Sequence, residues 1–130
     1  MPDFPSITHI AITVNDLSVS VPWYQRLLGS GPLLDEDTGP YRHVVFPIGG
    51  ALLSLHHFPD GDHADRFDER RPGLDHLSFG CADRDGLKAW QQRLDELGIV
   101  HEGIVDAHYG SALPFRDPDN IALEFFAPPN

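Results

Sequence analysis

The chain alternates between apolar and polar or small side chains over two separate stretches, residues 7–14 and residues 74–81. This two-residue period is typical of a strand with one buried face. Each stretch is followed by apolar residues spaced three and four positions apart, which predicts an amphipathic helix that ends before a glycine. Asp16 or Ser18 would cap the first helix, and Asp83 would cap the second. The predicted helices cover about 16–28 and 83–97. Shorter strands follow each helix, at about 32–37, 42–48 and 51–58 in the first half and about 100–105, 111–116 and 121–126 in the second.

The two halves are related by an internal repeat. When residues 9–31 are aligned with residues 76–98, seven of the 23 positions are identical, against about one or two expected by chance. A histidine and a tryptophan are among the identities, so we interpret the repeat as a duplication. The predicted class is α+β, with two modules that each have the order βαβββ. We expect one domain of two modules at about 7–58 and 74–127, joined by a linker at 59–73 that is solvated or forms a flap.

Composition narrows the classes of function. A formal net charge of -11 disfavours nucleic acid and anionic membranes as partners. The single cysteine excludes an intramolecular disulfide and a multi-cysteine zinc site, so a bound metal would need histidine and carboxylate ligands. Neither a signal-peptide pattern nor an apolar run of membrane-spanning length is present, which leads us to expect a cytoplasmic protein.

The first strand of each module carries a histidine beside small side chains. His9 shares its face with Ala11 and Thr13, and His76 shares its face with Ser78, while bulkier apolar residues occupy the opposite faces. Small neighbours leave space beside an imidazole, as a cavity requires. One such histidine is ordinarily a hydrogen-bonded structural residue, but two at repeat-equivalent positions favour a shared function.

Glu124 lies in a strongly hydrophobic strand near the end of the chain. A buried carboxylate costs several kcal/mol unless it is paired or bound to a metal. Together with His9 and His76, this glutamate would complete a two-histidine, one-carboxylate site of the kind that suits Fe(II) and similar divalent ions. The alternative is an ion pair with an arginine, for which the candidates are Arg26, Arg93 and Arg116.

Three segments carry a family resemblance: THIAI at 8–12, DHLSF at 75–79 and FRDPDNIALE at 115–124. They resemble the vicinal oxygen chelate superfamily, which includes glyoxalase I, extradiol dioxygenases, fosfomycin-resistance enzymes and bleomycin-binding proteins. The resemblance covers about residues 7–127 and implies paired βαβββ modules that form a curved mixed sheet around a metal-binding pocket. It also implies metal ligands on the first, fifth and eighth strands, which correspond to His9, His76 and Glu124, and one divalent ion per site (Fe2+, Mn2+, Ni2+ or Zn2+).

The fourth strand departs from the glyoxalase I pattern. Glyoxalase I has a glutamate or glutamine ligand where this chain has Ser54, a poor metal ligand. His56 lies on the same face two residues later, so it could be the missing ligand or a catalytic base, or it could be a residue at the rim of the strand. His57 is expected to point the other way. Catalytic roles are therefore assigned to Glu124 and His56.

Other positions are expected to line the substrate pocket. These are Ser54, His56, His43, Tyr109 and Phe115, although His43 and Tyr109 could instead be packing residues. Extradiol dioxygenases have a tyrosine where this chain has Phe115, and a clear second catalytic histidine is also missing here.

The sequence supports three functions. We favour a metal-dependent, glyoxalase-like isomerase or lyase that binds a small substrate through neighbouring oxygens. A ring-cleaving extradiol dioxygenase and a metal-free antibiotic-binding resistance protein are the alternatives. The resemblance also leads us to expect a homodimer, and the linker is long enough for modules to be exchanged between chains.

Overall fold

The computed structural model describes residues 1–130 and contains two helices and eight strands in the order βαβββ–βαβββ. This confirms the predicted α+β class and the two βαβββ modules. The chain forms two compact units, Met1–Asp65 and Arg66–Asn130, and their boundary falls inside the predicted linker. The elements are β1 His9–Thr13, α1 Leu17–Leu28, β2 Leu34–Asp37, β3 Arg42–Ile48, β4 Ala51–His57, β5 Leu77–Gly80, α2 Arg84–Glu96, β6 Val105–Ala107, β7 Gly110–Arg116 and β8 Ala122–Ala127.

The first unit is a four-stranded sheet in the order β1-β4-β3-β2, with β1 parallel to β4 and the other pairs antiparallel. Asp16 caps the N-terminus of helix α1, and its carboxylate accepts from the Ser18 N–H at 2.9 Å. Gly29 follows the C-terminus of the helix in the left-handed conformation. Apolar side chains from one sheet face and from α1 form the core. The buried members are Ile12, Val14, Leu17, Tyr24, Leu27, Val44, Phe46, Leu53 and Leu55.

The second unit repeats this plan with the strand order β5-β8-β7-β6, and β5 is parallel to β8. Trp90 of α2 stacks on Phe125 with ring centroids 4.3 Å apart, and Leu87 and Leu94 of the same helix are fully buried. Each such buried side chain contributes about 1.5–3 kcal/mol through removal of apolar surface from water. The opposite sheet face is left for polar side chains, among them Glu124.

A tight turn fixes the start of β8. The Asp117 carboxylate accepts from the backbone N–H groups of Asp119 and Ile121, both at 2.8 Å. Asn120 supplies the positive φ of 69° that the turn needs. The turn therefore sets the register in which Glu124 lies opposite Ser78 on β5 and Pro114 on β7.

The structure corrects the sequence-based boundary of β6. This strand covers 105–107 rather than about 100–105, because Gly103 has a φ of 86° that interrupts an extended chain. Within the predicted linker, the Phe67 N–H donates to the Asp119 carbonyl and Glu69 pairs with Arg116 at 2.8 Å.

Candidate functional site

Two of the three predicted ligands lie together in the second unit. His76 precedes β5 and Glu124 is in β8, and the distance from His76 Nε2 to Glu124 Oε1 is 3.0 Å. The Glu124 side chain is only 16% exposed, whereas that of His76 is 45% exposed. None of the three arginines considered as partners is paired with Glu124 in the structure: Arg116 binds Glu69 and Arg93 binds Glu96, and no ion pair joins Arg26 to Glu124.

Neighbouring side chains orient this pair. Asp75 Oδ1 lies 2.7 Å from His76 Nδ1, on the side of the ring away from Glu124. Ser78 donates from its hydroxyl to Glu124 Oε2 at 3.3 Å, which leaves Oε1 directed at the imidazole. A carboxylate on Nδ1 is the usual way in which proteins fix the tautomer of a metal-binding histidine. The donor set therefore fits a divalent ion at Nε2 and Oε1.

The third predicted ligand, His9, lies in the first unit at the start of β1. Its Nδ1 is 2.9 Å from the Thr8 hydroxyl, so the other ring nitrogen is left for a ligand. The side chain is exposed. No group of three or more histidine, cysteine, aspartate or glutamate side chains is close enough in the structure to share a metal ion.

The same face of the first sheet carries two further histidines. His56 on β4 lies directly across from Thr13 on β1 and from His43 on β3. The His43 and His56 rings are 5.3 Å apart and nearly perpendicular, and Tyr41 stacks on His56 with centroids 4.9 Å apart. Burial lowers the pKa of His56, and electrostatic interaction with the nearby imidazoles of His43 and His9 lowers it further. His56 is therefore kept in the neutral form that can accept a proton.

Two polar atoms on this face are buried without a hydrogen-bond partner: Ser54 Oγ and His43 Nε2. Ser54 is 4% exposed, and it lies on β4 between Ala11 of β1 and Val45 of β3. His43 Nε2 is 3.6 Å from Glu36 Oε2, which is beyond hydrogen-bond distance. Native proteins leave few such atoms unsatisfied, so each one needs an explanation.

The two remaining pocket candidates, Phe115 and Tyr109, differ in how exposed they are. Phe115 is 4% exposed and stacks on Phe125, on the core side of the sheet, because β7 turns Pro114 rather than Phe115 toward Glu124. The ring thus packs among core side chains, and a role for Phe115 in the substrate pocket stays a prediction. Tyr109 lies between β6 and β7, is 65% exposed, and stacks on Phe126, which shares the face of Glu124.

Four contributing residues were not identified from the sequence. Thr8 and Asp75 directly precede His9 and His76, and both orient the imidazole that follows. This repeated arrangement of a polar residue before the histidine was the available signal. Tyr41 and Glu36 could not have been found, because their contacts with His56 and His43 depend on the pairing of β2, β3 and β4.

Comparison with known proteins identifies the family and supports the fold. A family model described as the Glyoxalase/Bleomycin resistance protein/Dioxygenase superfamily matches residues 6–125. A glyoxylase/bleomycin resistance protein/dioxygenase domain from Frankia sp. EAN1pec is 35% identical, with a TM-score of 0.84 over 98% of this chain and 95% of that one. No helix of the chain has the length and apolar character needed to cross a membrane.

Curated relatives have different activities. The metallothiol transferase FosB of Bacillus licheniformis is 27% identical over 125 residues, which is 91% of this chain and 72% of FosB. MhqA of Bacillus subtilis, a candidate ring-cleaving dioxygenase, is 30% identical over 76 residues, and the match spans 58% of this chain but only 24% of MhqA. The match of the family model over nearly the whole chain shows that this protein belongs to the glyoxalase/bleomycin resistance protein/dioxygenase superfamily.

Proposed function

We propose that the protein is a metal-dependent enzyme acting on a small, oxygen-rich substrate, with His9, His76 and Glu124 as the ligands of one divalent ion. The observation that carries this proposal is the His76–Glu124 pair at 3.0 Å, with Asp75 on the opposite ring nitrogen. A simple ion pair would also bring the two side chains together. It would not explain why the repeat-equivalent His9 has its own Nδ1 partner in Thr8.

Among metal-dependent reactions, we favour a glyoxalase-like isomerase or lyase. When bound, the ion would supply a Lewis acid that holds two neighbouring substrate oxygens and stabilises negative charge on them. His56 would take the proton from the carbon beside those oxygens, since its lowered pKa leaves it neutral near pH 7. The protonated His56 would return that proton to the adjacent carbon, and Glu124 would act as a ligand of the ion.

Two observations bear on the alternatives. The match to FosB across 91% of the chain makes transfer of a thiol to a substrate the second candidate. Ring cleavage is less favoured, because Phe115 packs in the core and this position presents no hydroxyl toward Glu124. A metal-free binding role leaves the orientation of His76 by Asp75 without a purpose.

Metal content and turnover test the proposal. Elemental analysis should find about one divalent ion per chain, lost in His76→Ala, and retention of stoichiometric metal in both His9→Ala and Glu124→Ala would exclude the assignment. Protein loaded with Fe(II), Mn(II), Ni(II) or Zn(II) should turn over hydroxy-carbonyl or thiol-adduct substrates anaerobically. Rapid oxygen uptake on a catechol by the Fe(II) form alone would reverse the order of the candidates.

His56 can be tested against a matched control. Removing a general base slows the chemical step by about 100-fold or more. His56→Ala should therefore lower kcat by at least that factor. His57→Ala should change it little, because His57 points to the opposite face, near the Val14 carbonyl and the His63 ring. Equal losses in the two variants would remove His56 from the mechanism.

A further inference from the structure

Ser54 Oγ and His43 Nε2 are both enclosed and both without a hydrogen-bond partner, on one face of the first sheet. Because His43 pairs with His56 and Val45 pairs with Ser54, the serine and His43 are diagonal neighbours on adjacent antiparallel strands. Side chains in this relation have Cβ atoms within about 8 Å of each other. A single small group could therefore contact both atoms.

The two atoms place different hydrogen-bonding requirements on a ligand. A serine hydroxyl can donate and accept, and an imidazole nitrogen can do one or the other according to its tautomer. The Glu36 carboxylate, 3.6 Å from His43 Nε2, favours the tautomer with a proton on that nitrogen. The ligand must then accept from His43 and can exchange a second hydrogen bond with Ser54.

The charge of the surroundings limits the ligand further. An anion bound at His43 Nε2 would lie a few ångströms from the Glu36 carboxylate, and the two like charges would repel each other, although solvent reduces this repulsion because the Glu36 side chain is 54% exposed. A hydroxyl or carbonyl oxygen meets the hydrogen-bonding need without this cost. The face that holds these atoms also holds His9, which lies diagonally from Ser54 because His9 pairs with Leu52.

We propose that Ser54 and His43 form a subsite for an uncharged oxygen group of the substrate, and that Glu36 excludes a carboxylate or phosphate from it. This rests on the proposed function in one respect, that the oxygens bound at the metal are a different part of the same substrate. The substrate class is then a small molecule with two neighbouring oxygens at one end and a neutral hydroxyl or carbonyl at the other.

Three probes that differ in a single group test the subsite. These are 4-methylcatechol, 3,4-dihydroxybenzyl alcohol and 3,4-dihydroxybenzoate, titrated calorimetrically without oxygen into Zn(II)-loaded protein. One hydrogen bond to an enclosed partner is worth about fivefold in affinity, so the alcohol should bind about fivefold more tightly than the methyl compound. The benzoate should bind more weakly than the alcohol.

Variants assign these preferences to residues. In Ser54→Ala and in His43→Leu, the ratio of alcohol to methyl affinities should fall to about one. In Glu36→Gln, the benzoate should gain affinity relative to the alcohol. Ser20→Ala changes a serine that is just as buried, in α1, and should keep the wild-type ratio. No preference in the wild type, or a preference that survives both Ser54→Ala and His43→Leu, would overturn the proposal.

A second measurement separates this proposal from the metal site. If the protein retains no zinc or binds none of the catechols, the proposed function fails. The subsite is then tested separately with metal-free protein. Millimolar benzyl alcohol should shift the 15N resonance of His43 Nε2 in labelled protein, and benzoate and toluene should not. Absence of a shift with the alcohol, or an equal shift with benzoate, would exclude the subsite.

Discussion

Replacing Ser54 with alanine should stabilise the ligand-free protein, although serine-to-alanine changes at buried positions usually destabilise. The Ser54 hydroxyl is 4% exposed and has no hydrogen-bond partner, so folding removes it from water without compensation. Leaving a buried polar group unsatisfied costs about 1–3 kcal/mol. The substitution deletes one oxygen atom, and the small void offsets part of the gain.

We therefore expect a net increase of about 1 kcal/mol in the free energy of unfolding, since the cost removed exceeds that of the void. For a chain of this size, the change corresponds to a rise in Tm of about 3–5 °C. Urea and thermal unfolding of metal-free protein, followed by circular dichroism, measure both quantities. Measurements in EDTA exclude a contribution from bound metal.

Ser20→Ala is the matched control, because Ser20 is 1% exposed and has an interaction partner. It should be less stable than Ser54→Ala, because its substitution removes an interaction rather than an unsatisfied group. A loss of 1 kcal/mol or more in Ser54→Ala would refute the reasoning. Such a loss would mean that the hydroxyl is satisfied in solution, for example by an ordered water molecule.

Three further predictions concern the turn at Gly110, one ion pair and assembly. Gly110→Ala should destabilise the second unit by about 2 kcal/mol or more, because Gly110 has a φ of 147° and a Cβ there would lie 2.3 Å from the Phe126 ring. An unchanged urea unfolding curve would contradict this prediction. Hydrogen bonds from Arg116 lower the pKa of Glu69 to about 2, so Arg116→Gln should return that pKa toward 4.5 in an NMR titration, and a value that stays near 2 would exclude the pairing. Because this pKa is lowered by folding, the stabilisation from the pair is full above about pH 5 and is lost as the pH falls toward 2. The loss of stability over this range should therefore be smaller in Arg116→Gln. Light scattering should find a homodimer at micromolar concentration, and a monomer with full metal content would reject that expectation.

The elements of the fold were largely predictable because each depends on a local signal. Alternation along β1 and β5, together with aspartate caps at Asp16 and Asp83, placed the strand–helix units close to where the structure has them. The position of β6 was not predictable, since Val105 begins a strand only because Gly103 interrupts the extended chain before it. Its antiparallel partner β7 then fixes the register.

The candidate site was predictable to the extent that it depends on strand faces. Alternation alone assigned His76 and Glu124 to particular faces of their strands, and the β5–β8 register brings these faces to the same side of the sheet. The pocket role of Phe115 came from the family resemblance and not from alternation, and the sequence does not show which face of β7 meets the core. The unsatisfied atoms of Ser54 and His43 could not be foreseen, since a missing hydrogen-bond partner is a property of the three-dimensional surroundings.

The parallel pairing of β1 with β4 has a consequence for the order of events during synthesis. Its register joins His9 to Leu52 and Thr13 to His56, so the first sheet can be completed only after nearly the whole first unit has been translated. Contacts between residues so far apart in sequence form late, because the loop that they close is long. The antiparallel hairpin of β3 and β4 joins neighbouring segments and should form first. Until β1 docks, the edge of β4 is unpaired and its apolar residues Leu53 and Leu55 are uncovered. The nascent chain is then most prone to aggregate.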